Sequence, residues 1–522
     1  VGSAKRSAFR SFGPPTPRSA SPANMSCKNM LRAAFAAALA SSRGAFAVVP
    51  DGSRVASGEC SETVPFGFGT YFPEQKQVHA DAMLAKLFTV TYASAFKVLT
   101  DSLSKEQYVL TQCGQVRPSD ATVDAAAKLQ SGYIRKYFSV PVQSAAAMST
   151  ILLAFIDSLG VQDRVNFVDS YAVAPCWQKA LACHATMESE WGNATLQAQQ
   201  LAGVDVVFMD CSIDCAKVNA QKNGVHVPST QEAGPVENAE YIKYIAAFFN
   251  LEPQANELFA ATQTSYAQAS SGKAAKPLVV AWVSYNEKSD WSAESFVVSQ
   301  AAYKTTMVTD VGATNLDAAT ALAGIKDLAV KDAVPGKPAS GKTYTIPTNG
   351  DKAAASSAFF AALKGVDVVV DEVYAMDPTT YNFESFLTAY GLSSSSDLKF
   401  VKNKMVLRID RTMGATMNGL DWYESRIAKP EWALEGLAHV LYGDTSKRSK
   451  YFRNVAKGET VDQIIKAASC TKALPVCSAQ IYPEPIKTLG QIRVGGAAAS
   501  AAEALRLSTL AVAVVGLWAA VA

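Results

Sequence analysis

The stretch VDVVVDEVY, residues 366–374, decides the fold class because its apolar run is continuous rather than alternating. A strand with such a run is buried on both faces, which is typical of a parallel sheet covered by helices. Four more runs of this kind lie along the chain, so largely parallel sheets are predicted in both of its halves. These runs are VNFVD (165–169), VDVVFMD (204–210), PLVVAWVSY (277–285) and KMVLRID (404–410).

Helical patterns separate these strands. DKAAASSAFFAALKG (351–365) precedes the quoted stretch, and a first-half helix is predicted to begin near Ser149 and to end at Gly160. Strands that alternate with helices in both halves predict an α/β fold with two Rossmann-like lobes. Ahead of them, the runs FTVTY, AFKVLT and QYVLTQ between residues 88 and 112 predict a β meander.

The longest helical stretch, Val236 to Gln268, lies between the two halves of the chain. We predict a single connecting helix over 236–270, between an amino-terminal lobe at 60–235 and a carboxy-terminal lobe at 271–492. One long helix joining two lobes would make the hinge stiff. The alternative is a helix that packs on one lobe only.

The composition excludes several classes of protein. The 522 residues are 49% hydrophobic and 18% charged, and the formal net charge is +2. A chain this apolar has enough material for real cores and is not disordered throughout. Basic and acidic groups nearly balance, and no run of more than two Lys or Arg residues occurs. The electrostatic surface that a nucleic acid needs is therefore missing.

The two ends of the chain are predicted to lie outside the fold. Residues 1–24 are treated as a non-structural leader, and residues 25–47 match a secretory signal peptide with the cleavage pattern Ala45-Phe46-Ala47. The alternatives are an organellar presequence over 1–50 and an algal plastid signal. At the other end, residues 495–522 match a GPI-attachment signal or a retained short membrane anchor. Either would hold the protein on a membrane surface, facing away from the cytosol.

Cysteine usage indicates an oxidising compartment. Eight cysteines remain after the predicted signal, and Asn193 begins a glycosylation sequon. Local pairs such as Cys176 with Cys183, Cys211 with Cys215 and Cys470 with Cys477 are consistent with the spacing, which does not fix the connectivity. The alternative is a zinc site built from Cys183, His184, Cys211 and Cys215. The disulfide candidates are Cys60, Cys113, Cys176, Cys183, Cys211, Cys215, Cys470 and Cys477.

Motifs for catalysis are weak. GKPASGKT (336–343) matches the P-loop pattern, but a β-prone run with Pro347 follows where a helix should begin, so we reject a nucleotide site. No H-E-x-x-H zinc motif and no G-x-S-x-G serine elbow occurs. Asp210, Asp371 and Glu372 follow predicted strands and could form a catalytic pair, although such residues more often cap helices.

Polar and aromatic side chains gather at the predicted carboxyl ends of strands, where open α/β sheets bind ligands. They suit a medium-sized, partly apolar, anionic ligand. Trp422 is about as well explained as a core residue, and Arg411 as a partner of Asp410 or Asp421. The candidates are Ser149, Thr150 and Tyr171 in the first lobe and Ser284, Tyr285, Glu372, Arg411 and Trp422 in the second.

Several stretches, taken in order, resemble the helical-backbone class of periplasmic binding proteins, the iron-siderophore, cobalamin and metal receptors of ABC importers. They span about 88–442. They are TVTYASAFKVLT with YVLTQCG, the pattern PV...S...ST...LG..DRV, DVVF, EYIKYIAAFFNLEPQANELF, AWVSY, DVVVDEVY and VLRIDRTMGATMNGLDWYESRIAKPEWALEGLAHVLYG.

The resemblance implies a non-enzymatic receptor with two lobes, one bridging helix and a ligand in the cleft between the lobes. Ser149-Thr150, Trp282–Tyr285, Glu372 and Arg411 would line that cleft. The resemblance implies no intrinsic cofactor. The histidine set of the zinc and manganese receptors is missing, which favours a ferric chelate, haem or cobalamin as ligand.

Insertions around 172–200 and 316–340 and the predicted anchor depart from a bacterial receptor, so a eukaryotic surface protein is implied and its transporter partner is in doubt. The two alternative functions are an α/β enzyme that uses Asp371 or Glu372 and an adhesion protein that keeps the fold without a pocket.

Overall fold

A computed structural model describes residues 71–78, 83–190, 192–210, 220–270, 277–290, 292–335, 337–415, 419–443 and 449–472, all within the compact unit 49–522. The strands are β1 (Phe88–Tyr92), β2 (Phe96–Asp101), β3 (Glu106–Gln112), β4 (Ile134–Val140), β5 (Ala145–Ala147), β6 (Val165–Val168), β7 (Met187–Glu188), β8 (Val206–Met209), β9 (Gly224–His226), β10 (Val279–Asn286), β11 (Ser295–Ala301), β12 (Thr314–Asn315), β13 (Ala329–Val334), β14 (Lys337–Pro347), β15 (Val368–Asp371), β16 (Val406–Arg408), β17 (Thr412–Gly414), β18 (Arg453–Asn454) and β19 (Gln463–Ile465). The α-helices are α1 (Asp120–Ala126), α2 (Leu153–Leu159), α3 (Pro175–Ala182), α4 (Ala194–Ala202), α5 (Pro235–Ala239), α6 (Tyr241–Ala247), α7 (Glu252–Ala269), α8 (Ala302–Asp310), α9 (Ala318–Ala321), α10 (Lys352–Ala362), α11 (Phe383–Tyr390), α12 (Lys399–Lys402), α13 (Asp421–Ser425) and α14 (Pro430–Tyr442). Short 3-10 turns are Glu74–Lys76, Thr150–Leu152, Gln162–Arg164, Ser229–Gln231, Val455–Lys457 and Ala467–Ser469.

The first half contains two sheets that share one core. Strands β1, β2 and β3 form the predicted antiparallel meander, and β4 adds to it in parallel with β3, which was not predicted. The second sheet is parallel throughout, in the order β7-β6-β5-β8-β9. Phe248 contacts Phe138 of the first sheet and Phe208 of the second, with ring centroids 5.5 and 5.2 Å away. An aromatic layer therefore ties the meander to the parallel sheet.

The second half is built on one mixed sheet in the order β13-β14-β11-β10-β15-β16-β18, with β12 beside β10. Its centre is parallel, β10 with β15 and β15 with β16, as the apolar runs predict. Val368, Val369 and Val370 of β15 are fully buried, which is the burial expected from a continuous run. The antiparallel extension through β11, β14 and β13 was not predicted.

The P-loop-like segment is part of this extension. Residues 337–347 form β14, which pairs antiparallel with β11 and β13, so no helix begins at Lys342. Gly341 has φ +89°, and a Cβ there would lie 2.0 Å from the Gln300 carbonyl oxygen. Glycine is required by this close approach of two strands, and the predicted β-prone run in place of a helix is confirmed.

The segment between the halves is not one long helix, contrary to our prediction. It consists of α5, α6 and α7, and only the 18 residues of α7 lead into the second half. The chain breaks before α7 because Asn250 adopts φ 57°, outside the helical region, and Pro253 occupies the first turn of α7, where it needs no N–H partner. Helix α7 packs against α6 of the first half and α14 of the second. The α/β class with two sheet-bearing halves joined by a helix is confirmed.

The cysteines pair over a long range. Cys176 of α3 is bonded to Cys470, 294 residues later, so the local pairs Cys176–Cys183 and Cys470–Cys477 were wrong. Cys113 and Cys183 are also disulfide-bonded, which removes Cys183 from the alternative zinc site. Cys60, Cys211, Cys215 and Cys477 lie outside the described residues, as do the leader, the signal peptide and the carboxy-terminal anchor. Within the described ranges, no helix is long and apolar enough to cross a bilayer.

Candidate functional site

Two tyrosines, one in each half, follow the carboxyl ends of parallel strands. Tyr171 follows β6 of the first half, and Tyr374 follows β15 of the second. Burial, then the charges of Asp169 and Tyr374, raises the pKa of Tyr171, so the two phenols are near enough to interact electrostatically. Tyr374 is 42% exposed, so part of its side chain is accessible to solvent. We call Tyr171 and Tyr374 the tyrosine pair.

A carboxyl group lies beside the tyrosine pair. Asp169 Oδ1 accepts a hydrogen bond from the backbone N–H of Tyr171 at 2.9 Å. Burial raises the pKa of Asp169 to about 6, the charge of Glu188 adds to that shift, and the Tyr171 N–H opposes it. The site thus holds two phenols and a carboxyl that takes up a proton in mildly acidic solution.

Asp169→Asn is expected to stabilise the protein at pH 7.5 and to have no effect at pH 4. The folded-state pKa lies above the unfolded value of about 3.9, so the parent protein loses stability as pH rises from about 4 to 6. The gain for the variant at pH 7.5 is expected to be at most about 3 kcal/mol, measured by urea unfolding. Ser170→Ala, an uncharged neighbour, is the control and should differ from the parent equally at both pH values. A variant no more stable than the parent at pH 7.5 would contradict the assignment.

The structure places most of the other predicted site residues away from this point. Trp282 and Trp422 are 1% and 0% exposed and pack together with ring centroids 5.9 Å apart, so they belong to the core. Tyr285 is buried, and its hydroxyl donates to Glu294, while Ser284 lies on β10 beside it. Trp282, Trp422 and Tyr285 therefore pack within the second half.

The charged candidates are already paired. Arg411 contacts Asp462 at 3.1 Å and Glu459 at 3.2 Å, and it also donates to the Phe452 carbonyl. Neither predicted partner, Asp410 nor Asp421, is among these contacts. Asp410 pairs with Arg408 and Arg453 instead, and Asp421 with Lys450.

Two of the three candidate catalytic carboxylates, Asp371 and Glu372, are engaged as well. Asp371 is fully buried and accepts from Arg408, Tyr381 and Tyr390. Glu372 is 7% exposed and pairs with Lys304 at 2.7 Å. Neither the Asp371 carboxylate nor the Glu372 carboxylate is open to a substrate in this arrangement.

The first-lobe helix start lies where the halves touch. Ser149 is buried, and its Oγ has no hydrogen-bond partner within the described residues. The turn Thr150–Leu152 packs against α13 of the second half. Of the predicted site residues, Ser149, Thr150 and Tyr171 therefore lie at the junction.

One side of the junction is closed by polar contacts. The carboxylate of Glu424, on α13, accepts from the backbone N–H groups of Val173 and Ala174, the latter at 2.8 Å. Burial and the charge of Asp421 raise the pKa of Glu424 to about 8, and the two N–H donors oppose the rise. A Cβ at Gly419 would lie 2.8 Å from the Tyr171 carbonyl oxygen, so the backbones themselves approach closely here.

Sequence reasoning missed Tyr374, Asp169, Met376 and Glu424. The signal for Tyr374 was present, since it lies two residues after Glu372 in the quoted stretch. Met376, 62% exposed, follows on the same loop and adds apolar surface. In the described part of the chain no cluster of three or more His, Cys, Asp or Glu side chains is placed to hold a bare metal ion.

The chain was compared with known protein families, curated sequences and solved structures. No family model matches the chain, and no curated protein sequence does. Among solved structures, the chain is similar to a periplasmic binding protein of Veillonella parvula (15% identity, 57% of this chain, 91% of that one, TM-score 0.39). It is similar also to a periplasmic haem-binding protein of Vibrio cholerae (15%, 57%, 98%, TM-score 0.38) and to a siderophore-binding protein bound to acinetobactin and ferric iron (12%, 62%, 94%, TM-score 0.38). The first two of these are named as periplasmic binding proteins and the third as a siderophore-binding protein.

Proposed function

We propose that the chain is an extracytoplasmic solute-binding protein that captures a metal chelate or organometallic cofactor between its two halves. The observation that carries the proposal is the tyrosine pair, with one phenol at a strand end in each half. A ligand seated there would touch both halves at once, which is how a cleft receptor gains affinity. The cargo we favour is a ferric siderophore, haem or a corrinoid.

The chemistry of the pair suits such a ligand. Phenolate oxygen is a known axial ligand of haem iron, and tyrosine rings offer flat apolar contact area with a polar tip. Tyr374 and Met376, both exposed, add an adaptable apolar surface on the second-half side. A ring system or a hydrophobic chelate could therefore stack here while its metal is approached by a phenol.

The contacts that join the two halves favour a preformed cleft over one that opens and closes by hinge motion. Helix α7 packs on both halves, and the Cys176–Cys470 disulfide ties the halves covalently. A site held in place loses less conformational freedom when the ligand binds.

The test is a direct titration of the purified chain with haemin, ferric hydroxamate, ferric citrate and cobalamin. We expect one ligand to bind in a 1:1 ratio, with a change in its absorption spectrum and a rise in Tm by mass action. If none of the four binds and no Tm changes, the receptor proposal fails. The adhesion alternative would then explain the contacts that close the junction.

The remaining assignments stay predictions. An ABC-type transporter as partner, the secretory route, the membrane anchor, a plastid destination and glycosylation at Asn193 are part of the proposal that the sequence suggests. Asn193 is exposed, and its Oδ1 caps α4 through the Leu196 N–H at 3.1 Å, which leaves its Nδ2 free of that contact.

A further inference from the structure

A buried guanidinium that pairs with no carboxylate of the described residues lies where the two halves meet. Arg426 directly follows α13 and is only 3% exposed, and the next two residues, Ile427 and Ala428, pack in the core of the first half. Its Cζ lies 4.1 Å from the ring centroid of Tyr303 and 4.9 Å from that of Trp422. Within the described residues, its Nε has no hydrogen-bond partner and no carboxylate forms an ion pair with it. An arginine keeps its proton in proteins, so the positive charge is permanent.

The nearby charges do not balance it. Glu372 interacts electrostatically with Arg426 but is hydrogen-bonded to Lys304 at 2.7 Å. Burial lowers the pKa of Lys304 and raises that of Glu372, and the pair carries no net charge whether it is ionic or has exchanged its proton. Asp371, the next carboxylate, is paired with Arg408. One buried positive charge is left over, and an unpaired buried charge strongly destabilises a fold.

The aromatic rings of this cluster carry neutral donors without acceptors: Tyr303 and Trp422 contact the guanidinium, and Trp282 packs against Trp422. Tyr303 Oη and the indole nitrogens of Trp282 and Trp422 are buried and have no hydrogen-bond partner in the described part of the chain. Tyr423, which is partly exposed, interacts electrostatically with Arg426. Buried donors are nearly always satisfied in native proteins, so a cluster of orphans around a cation points to a missing acceptor.

We propose that Arg426, Tyr303 and the two indole N–H groups bind a small oxyanion group, a carboxylate or a phosphate. The planar fork of a guanidinium matches both groups through two parallel hydrogen bonds. The site is distinct from the tyrosine pair, and its occupant is either a free anion or the anionic end of a captured ligand. This inference does not depend on the proposed function.

The experiment measures Tm of the full chain against sodium phosphate, sulfate and acetate, with chloride at equal ionic strength as reference. We expect a saturable rise at millimolar concentration for at least one of the three oxyanions, as mass action requires. Stabilisation that grows without saturation is the general effect of excluded salts and would overturn the proposal. The absence of any rise would overturn it too.

Two variants and a control locate the site. Arg426→Met is expected to abolish the rise, and Tyr303→Phe to weaken binding at least about fivefold. Because Tyr303 Oη has no partner, its removal should leave the fold intact, so this variant decides the matter if Arg426→Met does not fold. Tyr442→Phe, which also removes a buried unpartnered hydroxyl, should bind as the parent does. An unchanged response in Tyr303→Phe would refute the assignment.

A competition experiment identifies the source of the anion. If a chelate found by titration loses affinity in phosphate, and if Arg426→Met binds it more weakly and no longer responds to phosphate, the anion site receives part of that ligand. If phosphate and chelate bind independently, the site takes a free anion. If the parent protein binds none of the chelates but still shows the saturable rise in Tm with phosphate, the anion site is supported and the proposed function is refuted.

Discussion

Replacing both Cys176 and Cys470 with serine is expected to lower the free energy of unfolding by about 2–5 kcal/mol. The bond closes a loop of 294 residues, so its loss returns much conformational freedom to the unfolded chain. It also ties α3 of the first half to the last described segment of the second. Urea unfolding in non-reducing buffer measures the effect, with the double variant chosen so that no unpaired thiol remains.

Lys472→Ala is the matched control for that segment. It removes the ion pair with Asp157 at 2.6 Å, whose side chains are 46% and 36% exposed. An ion pair so open to solvent contributes little, and we expect a loss below about 1 kcal/mol. If the double serine variant costs no more than Lys472→Ala, noncovalent contacts hold the segment and the disulfide does not stabilise the fold.

The strands were predictable because their signal is local. The run around β15 is apolar at successive positions, and only burial on both faces accounts for such a run. The same reasoning located β6, β8, β10 and β16. It could not find the antiparallel addition of β13 and β14, since β13 has no continuous apolar run and β14 contains Gly and Pro like many loops.

The break before α7 depends on the backbone conformation of one residue, and the disulfide depends on contacts between segments that are far apart in the sequence. Periodicity continues across Asn250, so nothing in the pattern marks the left-handed residue that separates α6 from α7. Cys176 is seven residues from Cys183 but is bonded to Cys470, because the fold brings the last segment onto α3. Closeness in the sequence therefore favoured Cys183, which is not the partner of Cys176.

In the candidate site, too, features with a local sequence signal could be predicted, whereas those that depend on distant contacts could not. A strand-end rule located Tyr171, but it could not separate Arg411, which Asp462 and Glu459 neutralise, from Arg426, which no described carboxylate pairs with. Both arginines have polar and apolar neighbours in the sequence. The difference becomes visible only when the fold brings Glu459 and Asp462, 48 and 51 residues away, onto Arg411.

Changing both Tyr171 and Tyr374 to phenylalanine is expected to weaken capture of the cognate chelate at least about 100-fold, or 2.7 kcal/mol. The rings and their packing remain, so the loss measures the two hydroxyls alone. Burial raises the pKa of both phenols, and coordination of a metal would have to displace a proton. Affinity of the parent should therefore increase between pH 6 and pH 9, and this increase should disappear in the double variant.

Tyr133→Phe, in the turn before β4, is the control and should bind as the parent does at every pH. Single variants separate the two halves of the site. If only Tyr374→Phe loses the pH dependence, the second half supplies the metal ligand and Tyr171 acts by contact, because Tyr374 is the more exposed phenol. A double variant that binds as tightly as the parent would show that the ligand is held elsewhere, and the tyrosine pair would then be a packing contact between the halves.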